Sequence, residues 1–403
     1  MPHLVLIGPL ALGGRCTRLG LACLSSLIIA ASASACAQPE GIRVAREAEW
    51  IDLLDRDHGW NAADGCISIP LSGIEAPGLD PHPRTLITFG DSIIGDVGPD
   101  GRRLPGNKFI NNSMLYVDGA EPDPAHSAFI YVRNDGNGNP RAAFIPSTPD
   151  SLPGDYFWLL DGIAIGEHVH IFANHLRPDP NGFWPINQGV TMITIPKDSR
   201  PPFADQVQVK TPLYHPAQGE IGPYQFGPCF VSNTQAAGWP HPDGYIYAFG
   251  VREDPWVKKS IVARVLPEHF TDFAAWRYWN GSAWVEGLTN AAPMTGRISG
   301  VYSVTPMSDG RWIMVFQKDA IGPEVAIRIG QSPTGPWGEM RAIYHCPETD
   351  RDPDIFAYNA TAHPHLSRPG ELLISYSVNS WDFADAFTWA DLARPRFISL
   401  RVE

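Results

Sequence analysis

The chain has 403 residues, 44% of them hydrophobic, enough to bury a sizeable core in one large β domain or two ordinary ones. Its net charge of −13, or −15 once a leader carrying Arg15 and Arg18 is removed, speaks against a nucleic-acid partner, because phosphates need a surplus of Lys and Arg. Gly (38) and Pro (39) together exceed the usual share of about 12%, which disfavours long helices, while 13 Trp suit strands and sugar-stacking surfaces.

Residues 1–37 read as a signal peptide. Arg15 and Arg18 supply the positive region, "LGLACLSSLIIAA" the apolar run and "ASASACA" the small-residue cleavage sites. The apolar run is short against the roughly 20 residues of a membrane span. Cys36 follows a poor lipobox, since position 33 is Ala. The expectation is therefore secretion to the periplasm or cell envelope, with a lipid tether on Cys36 as the alternative. Of the cysteines that remain, Cys66, Cys229 and Cys346 are odd in number, with no CxxC pair and no zinc spacing. They allow at most one disulfide and a leftover thiol. No metal and no cofactor are expected.

Residues 38–403 read as one all-β domain. Short strands bounded by Gly, Pro, Asn and Asp are predicted at 85–90, 127–133, 162–166, 168–174, 245–251, 260–266, 311–317, 325–330 and 371–377. Several follow DG, NG or PG pairs, at 118–119, 161–162, 243–244, 280–281, 309–310 and 369–370, which read as hairpin turns. The only helix-like interruption is "LPEHFTDFAAW" (266–276). Strands recurring in sets of four, about 70 residues a set, predict a five-bladed β-propeller, with a two-sheet β architecture as the alternative.

Two acids stand out: Asp64 in "NAADGCISIPL" (61–71) and Asp91 in "RTLITFGDSIIGD" (84–96). If Asp64 opens the innermost strand of the first blade and Asp91 ends its antiparallel neighbour, both face one mouth, on strands about 4.8 Å apart. The plainer alternative is that each Asp caps a turn beside its Gly.

The segments "GWNAADGCISIPL…RTLITFGDSIIGD…FINNSMLYVDG", with "WLLDGIAIGEHVHIFAN", "SPTGPWGE" and "YNATAHPHL" in the same order, resemble domain-of-unknown-function family 4185 and its relative, family 5005. The resemblance spans about residues 58–400. It implies a five-bladed propeller akin to arabinanases and furanosidases, with endo-D-arabinanases among the members of family 4185. It places Asp64 and Asp91 on the paired acidic positions and Asp161 on a second-blade acid that would adjust a neighbour's pKa and hold a sugar hydroxyl. A hairpin Asp-Gly is the alternative for Asp161. The resemblance also implies inversion at the anomeric carbon.

The sequence departs from propeller furanosidases at "RISGVYSVTP" (297–306), which lacks the acid expected in the third or fourth blade; Glu220 is a candidate substitute. Candidate sugar contacts are Asn111 and Asn112 in "NNS", Asn359 and His363 in "YNATAHP", and the rings of Trp158, Trp184 and Trp381. "NDGNGN" (134–139) and "DRDPD" (350–354) lack the Gly and terminal Glu of an EF-hand and read as loops. The combined expectation is a monomeric, exported glycoside hydrolase acting on a furanoside polysaccharide such as arabinan. The alternative is a non-catalytic carbohydrate-binding or surface propeller. Intact-mass measurement of exported protein is expected to give a mass lacking residues up to about Ala37; a full-length mass would refute the leader, and a diacylglycerol adduct on Cys36 would replace simple secretion.

Overall fold

The computed structural model describes residues 41–133 and 135–402. The leader and Cys36 lie outside the described residues. Within them, strands of five to eleven residues dominate, as the Gly- and Pro-rich composition requires, and they assemble into five antiparallel sheets of propeller type.

Blade one runs Ile67–Pro70, Arg84–Phe89, Ser113–Asp118 and Ser127–Ile130. Blade two runs Tyr156–Ile165, His168–Arg177, Ile186–Pro196 and Val207–Lys210. Blade three is built on Tyr224–Asn233, Tyr245–Asp254, Val257–Val265 and Arg277–Trp279, and blade four on Tyr302–Pro306, Trp312–Gln317, Glu324–Gly330 and Arg341–His345. Blade five joins both halves of the chain. Ile355–Ala362, Leu372–Ser380 and Arg394–Val402 are completed by Ile42–Arg46, with Ile42 paired to Val402.

The alternation of side chains along each strand explains the architecture. In Trp312–Gln317, Ile313 and Val315 enter the core shared with blade five, while Trp312, Met314 and Phe316 enter the core shared with blade three. A middle strand buried on both faces has no polar side, hence the unbroken apolar run "WIMVF". Each of the five large hydrophobic clusters lies between successive blades, and the one between blades five and one holds Ile87, Phe89, Leu373 and Phe397. The same junction is hydrogen-bonded by His363, fully buried, whose Nδ1 meets Ser68 Oγ and whose Nε2 meets Ser375 Oγ, both at 2.8 Å.

Three sequence expectations need correction, and one possibility, a single cysteine pair, is not realised. Helix α1, Ala48–Leu54, was not anticipated; it buries Trp50, Leu53 and Leu54, an i, i+3, i+4 stripe, against blade five, with Trp50 stacked on Phe397. Helix α2, Phe383–Thr388, capped by the Asp382 carboxylate, was also missed. Asp161-Gly162 is not a hairpin turn but lies inside the inner strand of blade two. Gly162 is required there by close approach, since a Cβ would sit 2.5 Å from the His170 carbonyl oxygen and 2.7 Å from Ile69 Cδ1. Finally, no disulfide pairs the three cysteines, all buried free thiols. The helix-like segment 266–276 is two short 3-10 turns, Pro267–His269 and Phe273–Ala275.

Bulges recur along the inner strands. Leu160 and Asp161 oppose Phe172 alone, Gly227 and Pro228 are inserted between the paired Phe226 and Cys229, and Asn359 and Ala360 oppose Tyr376, with Asn359 at φ 55°. Such bulges re-aim side chains out of the pleat. Because His363 neutralises two buried hydroxyls at the junction of the first and last blades, His363→Ala is expected to lower unfolding free energy by about 2–4 kcal/mol, read as a lower denaturant midpoint at unchanged slope. An unchanged midpoint would show that the junction is held by packing alone.

Candidate active site

The acid pair sits where blade one bends into a small second sheet. His58–Ala63, Ser92–Asp96 and Lys108–Ile110 pair as three strands, and His58–Ala63 and Ser92–Asp96 continue the first two strands of blade one beyond Asp64 and Asp91. At the bend the backbones stay joined: Asp64 N–H donates to the Asp91 carbonyl at 3.0 Å and Gly90 N–H to the Asp64 carbonyl at 2.8 Å. Gly90 leaves room for the acid, because a Cβ there would lie 2.4 Å from Asp64 Oδ1. Below, the Ser92 hydroxyl donates to the Gly90 carbonyl and pairs with Ser113 Oγ, which accepts from Trp60 Nε1.

Each carboxyl has its own donors. Asp64 Oδ2 accepts from the Tyr358 hydroxyl at 2.9 Å. Asp91 Oδ1 accepts from Trp158 Nε1 at 2.8 Å and from Asn111 Nδ2 at 3.3 Å. Burial pushes the Asp64 carboxyl up to about 6, against the pull of Tyr358. Burial, and then the charge of Asp64, push Asp91 up to about 8 against Trp158 and Asn111. The pair therefore shares one proton near neutrality.

Asp64, Asp91, Asn111 and Trp158 thus come together. Asn359 follows Tyr358 on the bulge of blade five. The others do not join them. Asp161 lies further along its strand, fully engaged by backbone: Gly162 N–H donates to Oδ1 at 2.7 Å and Phe230 N–H to Oδ2 at 2.6 Å. Asn112 is fully buried and bonds the backbone of Phe144 and Phe157, and His363 bridges blades. Glu220 is exposed in a loop. Trp184 and Trp381 are about half to two-thirds exposed, at 63% and 49%. Among the described residues no cluster of His, Cys, Asp or Glu could hold a metal.

Residues of all five inner strands line a cavity of about 40 Å³, bordered by Asp161 and Glu75. That volume admits roughly one to three waters and no sugar, so substrate chemistry belongs to the mouth. Glu75 was not singled out by sequence. It comes from the loop between the first two strands of blade one, accepts from Ser232 N–H and Trp239 Nε1, and burial pushes it to about 7. Tyr358 was missed too, although it stands in "YNATAHP". Where "RISGVYSVTP" lacks an acid, the structure brings Lys258, paired with Glu253, to within 3.9 Å of a Cβ built on Gly300, and burial lowers the Lys258 amine to about 8.

A β-propeller with two coupled, desolvated carboxyls at one mouth is the class that fold and site define. Within it, the chain belongs to the family described as Domain of unknown function (DUF5005), whose model matches residues 47–402. No curated protein matches the chain. Among solved structures it is similar to a "putative hydrolase" from Bacteroides ovatus ATCC 8483, at 19% identity and TM-score 0.67, covering 89% of this chain and 90% of that one. More distant are an endo-arabinase from Bacteroides thetaiotaomicron VPI-5482 (13% identity, TM-score 0.41, 84% and 98% covered) and an alpha-L-arabinofuranosidase from Clostridium thermocellum ATCC 27405 (12%, 0.40, 78% and 82%).

A carboxyl whose pKa is raised on folding stabilises the folded state below the unfolded value, near 4, and that contribution is lost as pH rises through the folded value. For Asp64 and Asp91 the loss spans about pH 4 to about 8. Asp91→Asn is therefore expected to melt higher than the parent at pH 8 by a few degrees, at about 1–2 °C per kcal/mol for a domain of this size, and to match it near pH 4. A variant that melts lower at pH 8 would contradict the desolvated pair.

Proposed function

We propose that the protein is an exported glycoside hydrolase that cuts a neutral furanoside polysaccharide of the arabinan type, with Asp64 and Asp91 as its acid–base pair. The observation that carries this reading is the pairing of two carboxyls across one bend by backbone hydrogen bonds, each supplied with neutral donors and both raised by burial. Glycoside hydrolysis needs one carboxylic acid to protonate the leaving oxygen and one carboxylate to take a proton from water. Asp91, whose neutral donors meet Oδ1 alone, gives a proton from Oδ2 to the glycosidic oxygen as the bond to the anomeric carbon breaks. Asp64, held ionised by Tyr358, accepts the proton of the water that attacks that carbon. Trp158 and Asn111 occupy Oδ1 of Asp91 and leave Oδ2 for the transferred proton. Asn359, next to Tyr358 on the bulge of blade five, would contact sugar hydroxyls. Asp161, Asn112 and His363 support the strands from which these groups project.

The furanoside preference rests on the resemblance of the motif order to that of family 4185. A second reading, a non-catalytic glycan-binding propeller, is favoured by one observation: the sector of the fourth inner strand presents Lys258 and Glu253 rather than an acid on the strand itself. Reducing-end assays against cell-wall and plant polysaccharides separate the two. Folded Asp64→Asn and Asp91→Asn are each expected to lose about 10²–10⁴-fold in turnover, and near-parental turnover in both would leave the acids as turn chemistry. Activity should rise as Asp64 ionises near about 6 and fall as Asp91 loses its proton near about 8, and NMR of the first product should show the inverted anomer.

A further inference from the structure

The aromatic residues at the mouth are not scattered. From the Tyr358 hydroxyl on Asp64, ring contacts run outward without a gap: Tyr358 to Phe356 at 5.3 Å between centroids, and Phe356 to Trp381 at 4.3 Å. Helix α2 begins two residues later, and its Phe383 lies 5.2 Å from Phe183, which meets Trp184 edge-on at 5.2 Å and 86°. Phe183 and Trp184 belong to the connection 178–185 between the second and third strands of blade two, so the two blades flanking blade one meet through exposed rings. Phe183 is 70% exposed and Trp184 63%. Large exposed aromatics in contact with one another are unusual on a soluble surface and mark a place that something covers.

We propose that this ridge is a secondary binding platform for a neutral polysaccharide chain, which runs from the acid pair along Trp381 and Phe383 to Phe183 and Trp184. Continuity with the carboxylate argues for the same ligand as the mouth. A sugar offers apolar C–H faces to rings and keeps its hydroxyls toward water, so it suits rings that remain wet. Rings at 86° to one another match a chain that twists between successive units and do not form the flat face that a lipid surface would need. The net charge of −13 opposes anionic glycans and anionic membranes. The platform rests on the glycan reading of the mouth and adds that the substrate is a polymer held well beyond the bond that is cut.

The test uses Asp91→Asn protein, whose turnover is expected to be about 10²–10⁴-fold lower, in affinity electrophoresis through gels containing arabinan or the other neutral polysaccharides of the panel. Adding Phe183→Ala and Trp184→Ala, two exposed positions whose loss leaves the core intact, is expected to weaken binding at least about tenfold, and less for short oligosaccharides than for polymer. Equal retardation of both proteins overturns the platform, as does a parent retarded by none of the polysaccharides. So does ring-dependent binding to phosphatidylcholine vesicles alone, or a dimer in sedimentation that the ring substitutions abolish. The two proposals fail separately. Ring-dependent binding by a protein whose wild type cleaves nothing refutes the hydrolase and keeps the platform. Cleavage with ring-independent polymer binding does the reverse.

Discussion

Two backbone hydrogen bonds at the bend of blade one, Asp64 N–H to the Asp91 carbonyl and Gly90 N–H to the Asp64 carbonyl, set how close two carboxyls must stand. Strands paired this way cannot move apart to relieve charge repulsion without breaking the sheet. Burial and this repulsion together favour protonation of the pair, and each acid is supplied with neutral donors rather than with Arg or Lys. A cation placed there would ionise both carboxyls and remove the proton donor. Gly90, Ser92, Ser113 and Trp60 serve this constraint from below, and the "NNS" segment follows from it, with Asn111 on Asp91, Asn112 on the backbone and Ser113 on Ser92.

The interior obeys the opposite logic. Asp161 and Glu75 border a space too small for substrate, and burial raises both carboxyls, Asp161 well above its ordinary range. Their oxygens accept from the backbone of blade three, at Phe230 and Ser232, so these acids fasten blade two and the loop of blade one to the third blade. A desolvated acid is thus not by itself a mark of chemistry. What separates the mouth from the interior is that both oxygens of Asp161 and of Glu75 accept from the backbone, whereas the donors on Asp91 meet Oδ1 alone.

Much of the fold was legible because strand alternation and turn residues are local signals. The strands around 85–90, 245–251 and 311–317 fall within a few residues of their predicted ends. Asp64 and Asp91 were legible for the same reason, each standing between a Gly and a strand. Asp161-Gly162 misled because the Asp-Gly pair is the same whether it turns the chain or lets a neighbouring carbonyl approach, and only the cross-strand partner His170 decides. Glu75 and Tyr358 were illegible because their meaning lies in partners more than 150 residues away, Ser232 and Asp64. Helix α1 was missed because its apolar stripe is a single turn long, and its stability comes from docking on Phe397.

The strand Ile42–Arg46 completes a blade whose other three members, Ile355–Ala362, Leu372–Ser380 and Arg394–Val402, lie far along the chain from it. Until Arg394–Val402 is available, that strand has no partner, and α1 has no Phe397 to dock on. The first blade is then also without the neighbour that covers Ile87 and Phe89. Assembly is therefore ordered by topology: four blades can associate in sequence, but the ring gains its last interface only when the two distant ends meet. Pairing over such a separation is slow to form, because the chain must close a long loop before the contacts reward it. The molecule's resistance to unfolding is in this sense stored at one seam, and a protease or a mechanical pull would find its leverage there rather than in any core.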